Sequence, residues 1–75
     1  MTLYEFILLD KNQQYEVTFK TGEFVDAHLE TNKRFALYAV DMFFVELEYD
    51  VATNKIIKLI SFIEGEKLNR YCKLY

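Results

Sequence analysis

From Arg34 to Thr53 the chain carries no glycine, proline or asparagine, and most of the stretch is apolar. A helix through Arg34–Asp50 would be apolar nearly all round, more than a chain of 75 residues could bury. From Phe43 the residues alternate instead. Phe43, Val45, Leu47 and Tyr49 fall on one side, and Phe44, Glu46, Glu48 and Asp50 on the other. One strand over the whole stretch would far exceed the usual five or six residues. The chain must therefore reverse inside it, and Asp41-Met42 is the place. Asp suits a tight turn, whereas Met fits poorly if its own φ has to be positive.

The segment Asp50–Lys55 has the chemistry of a second reversal, with Asp50 able to bond the turn backbone and Asn54 tolerant of a left-handed conformation. The tripeptide Thr-Asn-Lys at 31–33 recurs at 53–55 and reads as one turn chemistry used twice. A strand follows from Ile56 to Ile63. These elements define an antiparallel meander. Asp50 opposite Lys55 aligns Val45 with Ile60, a two-residue turn aligns Val40 with Phe43, and a four-residue loop after Glu30 aligns Leu29 with Ala36. One face then carries Val25, Ala27, Leu29, Ala36, Tyr38, Val40, Phe43, Val45, Leu47, Ile56, Ile60 and Phe62, the expected core. The other carries Phe24, Asp26, His28, Glu30, Phe35, Leu37, Phe44, Glu46, Glu48, Ile57, Leu59 and Ser61. Carboxylates there stay hydrated, which accounts for acids in an apolar stretch.

At the C-terminus, Leu68, Tyr71, Cys72 and Tyr75 follow helical spacing, with Glu64 and Glu66 at the start and Lys67, Arg70 and Lys73 beyond. That pattern predicts an amphipathic helix with charges matched to its dipole. The N-terminal third reads two ways. Thr2 with Glu5, and Asp10 with Gln13, have capping-box spacing, and Gly22 could close a helix in the left-handed conformation. Against this, Tyr15 to Lys20 alternates as a strand does.

Two glycines and no proline leave no linker, so residues 1–75 read as a single domain. Twelve acids against nine bases, with no basic block, argue against nucleic acid as a partner. A single cysteine fits a reducing compartment. The most apolar window, Phe35–Val45, is far shorter than the roughly twenty residues of a membrane span. The start MTLYEFILLD lacks the basic and small-residue features of a signal peptide, so the expected location is the cytoplasm, with no membrane partner.

The order Leu3-Tyr4-x-Phe6, Gln14, Gly22, Leu37-Tyr38, Asp41-x-Phe43-Phe44-Val45-Glu46, Tyr49-Asp50, Asn54-x-Ile56, Ser61-Phe62 and Leu68-x-x-Tyr71 resembles a group of short uncharacterised bacterial proteins. Members of that group look helical before the glycine, which selects helices at Leu3–Leu9 and Lys11–Thr21. Some have Gly or Ser at the position of Met42, in keeping with a tight turn. The resemblance implies no activity, cofactor or catalytic residue. The expected fold is α+β: short N-terminal helices, a four-stranded antiparallel β-meander and a C-terminal amphipathic helix.

Chemistry finds few candidates. Ser61 and His28 are each unique, and the register separates them by two strands, roughly 14 Å, which excludes a triad. Cys72 lies on the apolar stripe of its helix, and one His with one Cys is no metal cluster. Glu46, Glu48 and Asp50 share a strand face as a solvated acidic row. Lys20-Thr21-Gly22 matches a penicillin-binding signature by chance, since no S-x-x-K accompanies it. A non-enzymatic protein without cofactors is therefore expected: an interaction module, self-associating as a homodimer or binding another protein. Its surface would be Phe35, Leu37, Phe44, Glu46, Ile57 and Leu59, an apolar patch on the second sheet face, unless a helix covers that face. Two other readings are a ligand-binding or catalytic pocket formed by Tyr38, His28, Asp41 and Glu46, and an acidic regulator of a larger basic protein.

Overall fold

A computed structural model of the chain describes residues 1–63. Helices α1 (Leu3–Ile7) and α2 (Lys11–Thr21) precede strands β1 (Glu23–Leu29), β2 (Lys33–Val40), β3 (Phe43–Asp50) and β4 (Lys55–Phe62). The strands form one sheet in the order β1-β2-β3-β4, with every neighbouring pair antiparallel. The architecture is α+β, as the sequence predicts. The expected C-terminal helix lies outside the described residues.

Both helices start where their capping boxes place them. The Glu5 N–H donates to Thr2 Oγ1 (3.1 Å) while the Thr2 N–H donates to Glu5 Oε1 (2.8 Å). The Gln13 N–H donates to Asp10 Oδ1 (2.8 Å), with the reciprocal bond from the Asp10 N–H to Gln13 Oε1 at 3.2 Å. Each box satisfies donors that a helix start otherwise leaves unpaired. These local bonds favour helix over the alternating pattern at Tyr15–Lys20. Gln14 then ties the two helices together, its Nε2 donating to the Phe6 carbonyl at 3.1 Å.

Gly22 corrects an expectation. Its backbone is extended (φ −76°, ψ 147°), not left-handed, so α2 ends by running straight into β1. The positive φ angles fall on Asp41 (52°) and Asn54 (58°). Asp41 therefore takes the strained position of the β2–β3 turn, and Met42 does not. The two Thr-Asn-Lys segments also differ. The Glu30 N–H donates to the Lys33 carbonyl (2.8 Å) across a two-residue loop, whereas only the second asparagine has a positive φ. The two loops lie side by side, the Val51 N–H donating to the Asn32 carbonyl at 3.2 Å.

The register agrees with expectation at both central turns, where Val40 faces Phe43 and Asp50 faces Lys55. It departs from it at two β-bulges. In β4 the pairing steps from Tyr49–Ile56 to Glu48–Lys58, so Ile57 has no opposite number and Val45 faces Ser61 rather than Ile60. In β1 it steps from Phe24–Tyr38 to Asp26–Leu37, leaving out Val25. A bulge adds one residue to one strand and moves everything beyond it to the opposite face. Leu59 thus joins the core, while Ile60 and Phe62 move to the second face. The shorter first loop sets Ala27, not Leu29, opposite Ala36, an even shift that preserves faces.

The main core joins Phe6, Val40, Phe43, Val45, Leu47 and Leu59, with Leu3, Leu9, Tyr15 and Val17 of the helical segment packed against it. Phe6 is the anchor of α1, its ring 5.1 Å from that of Phe43. Full burial of such side chains stabilises by about 1.5–3 kcal/mol each. Thr18, wholly buried under α2, donates its hydroxyl to the Gln14 carbonyl at 2.8 Å, so its burial strands no polar group.

Candidate interaction surface

The second sheet face brings together part of the expected patch. Phe35, Leu37, Phe44 and Glu46 share it, in rows running Ala39–Phe44–Phe62, Asp26–Leu37–Glu46–Ile60 and His28–Phe35–Glu48–Lys58. Leu59 is absent because the β4 bulge turns it into the core, and Ile57 sits on the bulge itself. The patch is not an open one either. Leu37 is 1% exposed, Glu46 3% and Phe35 4%, all within the single chain, and Phe44 is half-buried against Phe62 (ring centroids 5.9 Å). Side chains so deeply covered cannot receive a partner without rearrangement. Of the two readings of this face, open or covered, the burial agrees with the second.

The alternative pocket is not assembled. Tyr38 lies on the core side of β2, Asp41 in the β2–β3 turn, and His28 and Glu46 in different rows of the second face. Asp41 accepts the Met1 ammonium group, which holds that ammonium's pKa above its ordinary value, chiefly through the hydrogen bond. His28 Nε2 lies 3.2 Å from Glu30 Oε2. A cavity of about 220 Å³ does open on the second face, between Glu30, Lys33, Phe35, Glu46, Glu48 and Lys58. Its charges are of both signs and engage one another, with Lys33 Nζ 3.4 Å from Glu48 Oε2. Among the described residues no three His, Cys, Asp or Glu side chains converge as metal ligands.

Among the exposed apolar side chains, one aromatic cluster lies beside β1. Tyr38 on β2 is flanked by Phe19 of α2 and Phe24 of β1, with centroids 5.9 and 5.8 Å from its own and both contacts edge-to-face. Such contacts fix ring orientation and contribute roughly 0.5–1.5 kcal/mol each. Phe19 nevertheless remains 50% exposed and Phe24 60%, and Val25 next to them is exposed as well. Together they make a rigid aromatic ledge at the junction of α2 and β1. The sequence reading missed it, because alternation put Phe24 on the second face and gave Phe19 no strand neighbour. The adjacent apolar pair Phe24-Val25 breaks strict alternation, but so do pairs in regular strands, so nothing in the sequence singled the ledge out.

Strand β1 is an edge of the four-stranded sheet and is exposed at every position but His28. Its backbone is guarded. The Glu30–Lys33 bond sets the alternation that turns Ala27 and Leu29 outward, and the outward Ala27 N–H donates to Asp26 Oδ1 at 2.7 Å. With the bulge at Val25, this leaves little free ladder for an added strand. At the far end of the core face, Arg34 lies over Tyr49 (4.8 Å to the ring centroid), and its Nη2 donates to Asn54 Oδ1 (2.6 Å). Burial raises the pKa of Tyr49, the nearby Tyr38 adds to this, and Arg34 partly offsets it.

No described helix is long and apolar enough to cross a membrane. Comparison with protein-family models, curated proteins and solved structures found no match for the chain.

Proposed function

We propose that the chain is a cytoplasmic, non-enzymatic protein-interaction module whose contact surface is the ledge of Phe19, Phe24 and Val25 beside Tyr38. One observation carries this reading: two large aromatic side chains, each half or more exposed, are held in fixed orientation by a third. Rigid aromatic rings make good anchors because little side-chain freedom is lost on docking. The guarded edge of β1 favours recognition through side chains rather than strand addition.

The test is a comparison of wild type with Phe19→Asp/Phe24→Asp, both immobilised and exposed to extract of the native cell, with circular dichroism to verify folding. Proteins retained by wild type and lost from the folded variant are the expected result. Equal retention by both would remove the ledge from the function. Light scattering across concentrations tells whether the partner is a second copy.

A further inference from the structure

We infer that the second sheet face is the seat of the chain's own residues 64–75, docked through an apolar stripe of Leu68, Tyr71 and Tyr75. Phe35 and Leu37 on β2 and Glu46 on β3 are buried within the single chain. A side chain standing up from a central strand reaches that depth only when a further layer lies across it. Residues 1–22 do not supply that layer, because they are committed to the opposite face. Phe6 packs on Phe43, Phe19 on Tyr38, and Gly22 lies against Val40. The cover is present in one chain, so neither a second copy nor another protein is needed to account for it. What is left of the chain is residues 64–75.

The segment starts in the right place and has the right reach. Phe62, at the end of β4, lies on the second face with its ring stacked on that of Phe44. The chain therefore leaves the sheet at the margin of this surface. From the row of Phe62 to the row of Lys58 is about 13 Å along the strand. Gly65 allows a sharp reversal after β4. As a helix, the stretch from Glu66 to Tyr75 would then span about 15 Å, enough to cross the buried rows.

The pattern of the segment matches what the face presents. Leu68, Tyr71, Cys72 and Tyr75 recur at helical spacing, with Glu66, Arg70 and Lys73 on the opposite side. Phe35, Leu37, Phe44 and Ile60 offer an apolar floor to such a stripe. Two tyrosines suit a floor that also buries the Glu46 carboxylate, since a phenol carries an O–H donor on an apolar body.

The experiment uses the full chain carrying Cys72→Ser/Lys73→Cys, which moves its single thiol from the stripe to the polar side. A nitroxide is attached there, and amide signals are compared with the label oxidised and reduced. With the label oxidised, the amides of Phe35, Leu37, Phe44 and Glu46 should lose intensity. Those of Phe6, Val17 and Phe19, behind the sheet, should keep theirs. Asn69→Cys with Cys72→Ser gives a second label site, used if the first variant folds poorly. Adding Leu68→Ser should return part of the lost intensity, and an unchanged loss would overturn the stripe as the anchor.

Loss along α2 with β3 spared would put the segment on the core side or on the ledge and overturn the assignment. Loss confined to Phe62 and Ile63, the neighbours in sequence, would overturn it as well. Mixing labelled chain at natural isotope abundance with unlabelled, nitrogen-15 chain tests for exchange between copies. Intensity lost in that mixture would seat the segment on a second copy, the remaining result that sinks the assignment.

Discussion

At Gly22 the side chain is missing for want of space. A Cβ there would lie 2.4 Å from the Thr18 carbonyl oxygen and 3.2 Å from Val40 Cγ2. The first contact is with backbone that α2 cannot yield cheaply, because the Gly22 N–H itself donates to that oxygen at 3.0 Å. Gly22→Ala is expected to destabilise by about 1–3 kcal/mol in chemical denaturation, despite an ordinary φ. Asn54 shows the opposite cause. At φ 58° its backbone penalises any side chain that cannot tolerate the left-handed region. Asn54→Ala should cost about 1–2 kcal/mol while Asn54→Gly stays near wild type, as read from unfolding midpoints. Both residues were visible in the sequence as turn-formers. For Asn54 the reason was legible, because a β-turn is a local event. For Gly22 it was not, because the obstruction includes Val40, eighteen positions away, and the path of α2 into β1.

Turns were legible because their determinants are local: the reversal at Asp41-Met42 and the loop at Asp50–Lys55 depend on residues within a few positions of each other. The capping boxes are as local, but the alternation at Tyr15–Lys20 competed with them, and only the resemblance chose helix there. Bulges are not local. Ile56-Ile57 and Phe24-Val25 are adjacent apolar pairs at the bulges, but Phe43-Phe44 and Leu59-Ile60 are equally adjacent in regular pairing. The pair alone therefore carries no instruction; the match across strands decides. This makes a sharp test. Leu59→Ala should cost about 2–5 kcal/mol, whereas Ile57→Ala, exposed on the bulge, should stay within about 0.5 kcal/mol. A reversed order in denaturation would mean that the register without the bulge is correct.

Helix α1 offers an element-scale pH test. The Glu5 carboxylate is held below its ordinary value of 4.5, first by the Thr2 backbone N–H and further by the Thr2 hydroxyl. A carboxylate lowered in the folded state binds fewer protons there than in the unfolded chain. Its contribution is therefore present above about pH 4.5 and lost as pH falls through the lower folded value. Amide exchange in α1 should accelerate over that acidic range. In Glu5→Gln, which keeps an acceptor oxygen but does not titrate, the rise attributable to this group should vanish.

For the whole molecule, the consequential result is where apolar surface remains. A chain of this size has a net stability on the order of 4–11 kcal/mol, so a charge placed in either buried face is enough to unfold it. Leu37→Asp is therefore expected to abolish the cooperative thermal transition, while Phe24→Asp retains it. Circular dichroism distinguishes the two directly. Of the surface expected from sequence, Phe35, Leu37 and Glu46 proved interior, Leu59 joined the core and Ile57 stayed outside on a bulge. The chain by itself determined the antiparallel meander and its central turns, and it marked two capping boxes without choosing helix over strand between them, because each of these follows from near neighbours and from short-range alternation. Tertiary structure alone decided which apolar residues are hidden and which are offered. Two inserted residues, chosen by pairing between strands, reset the faces of β1 and β4, and the depth at which a sheet face is buried depends on what packs across it, not on the pattern written along it.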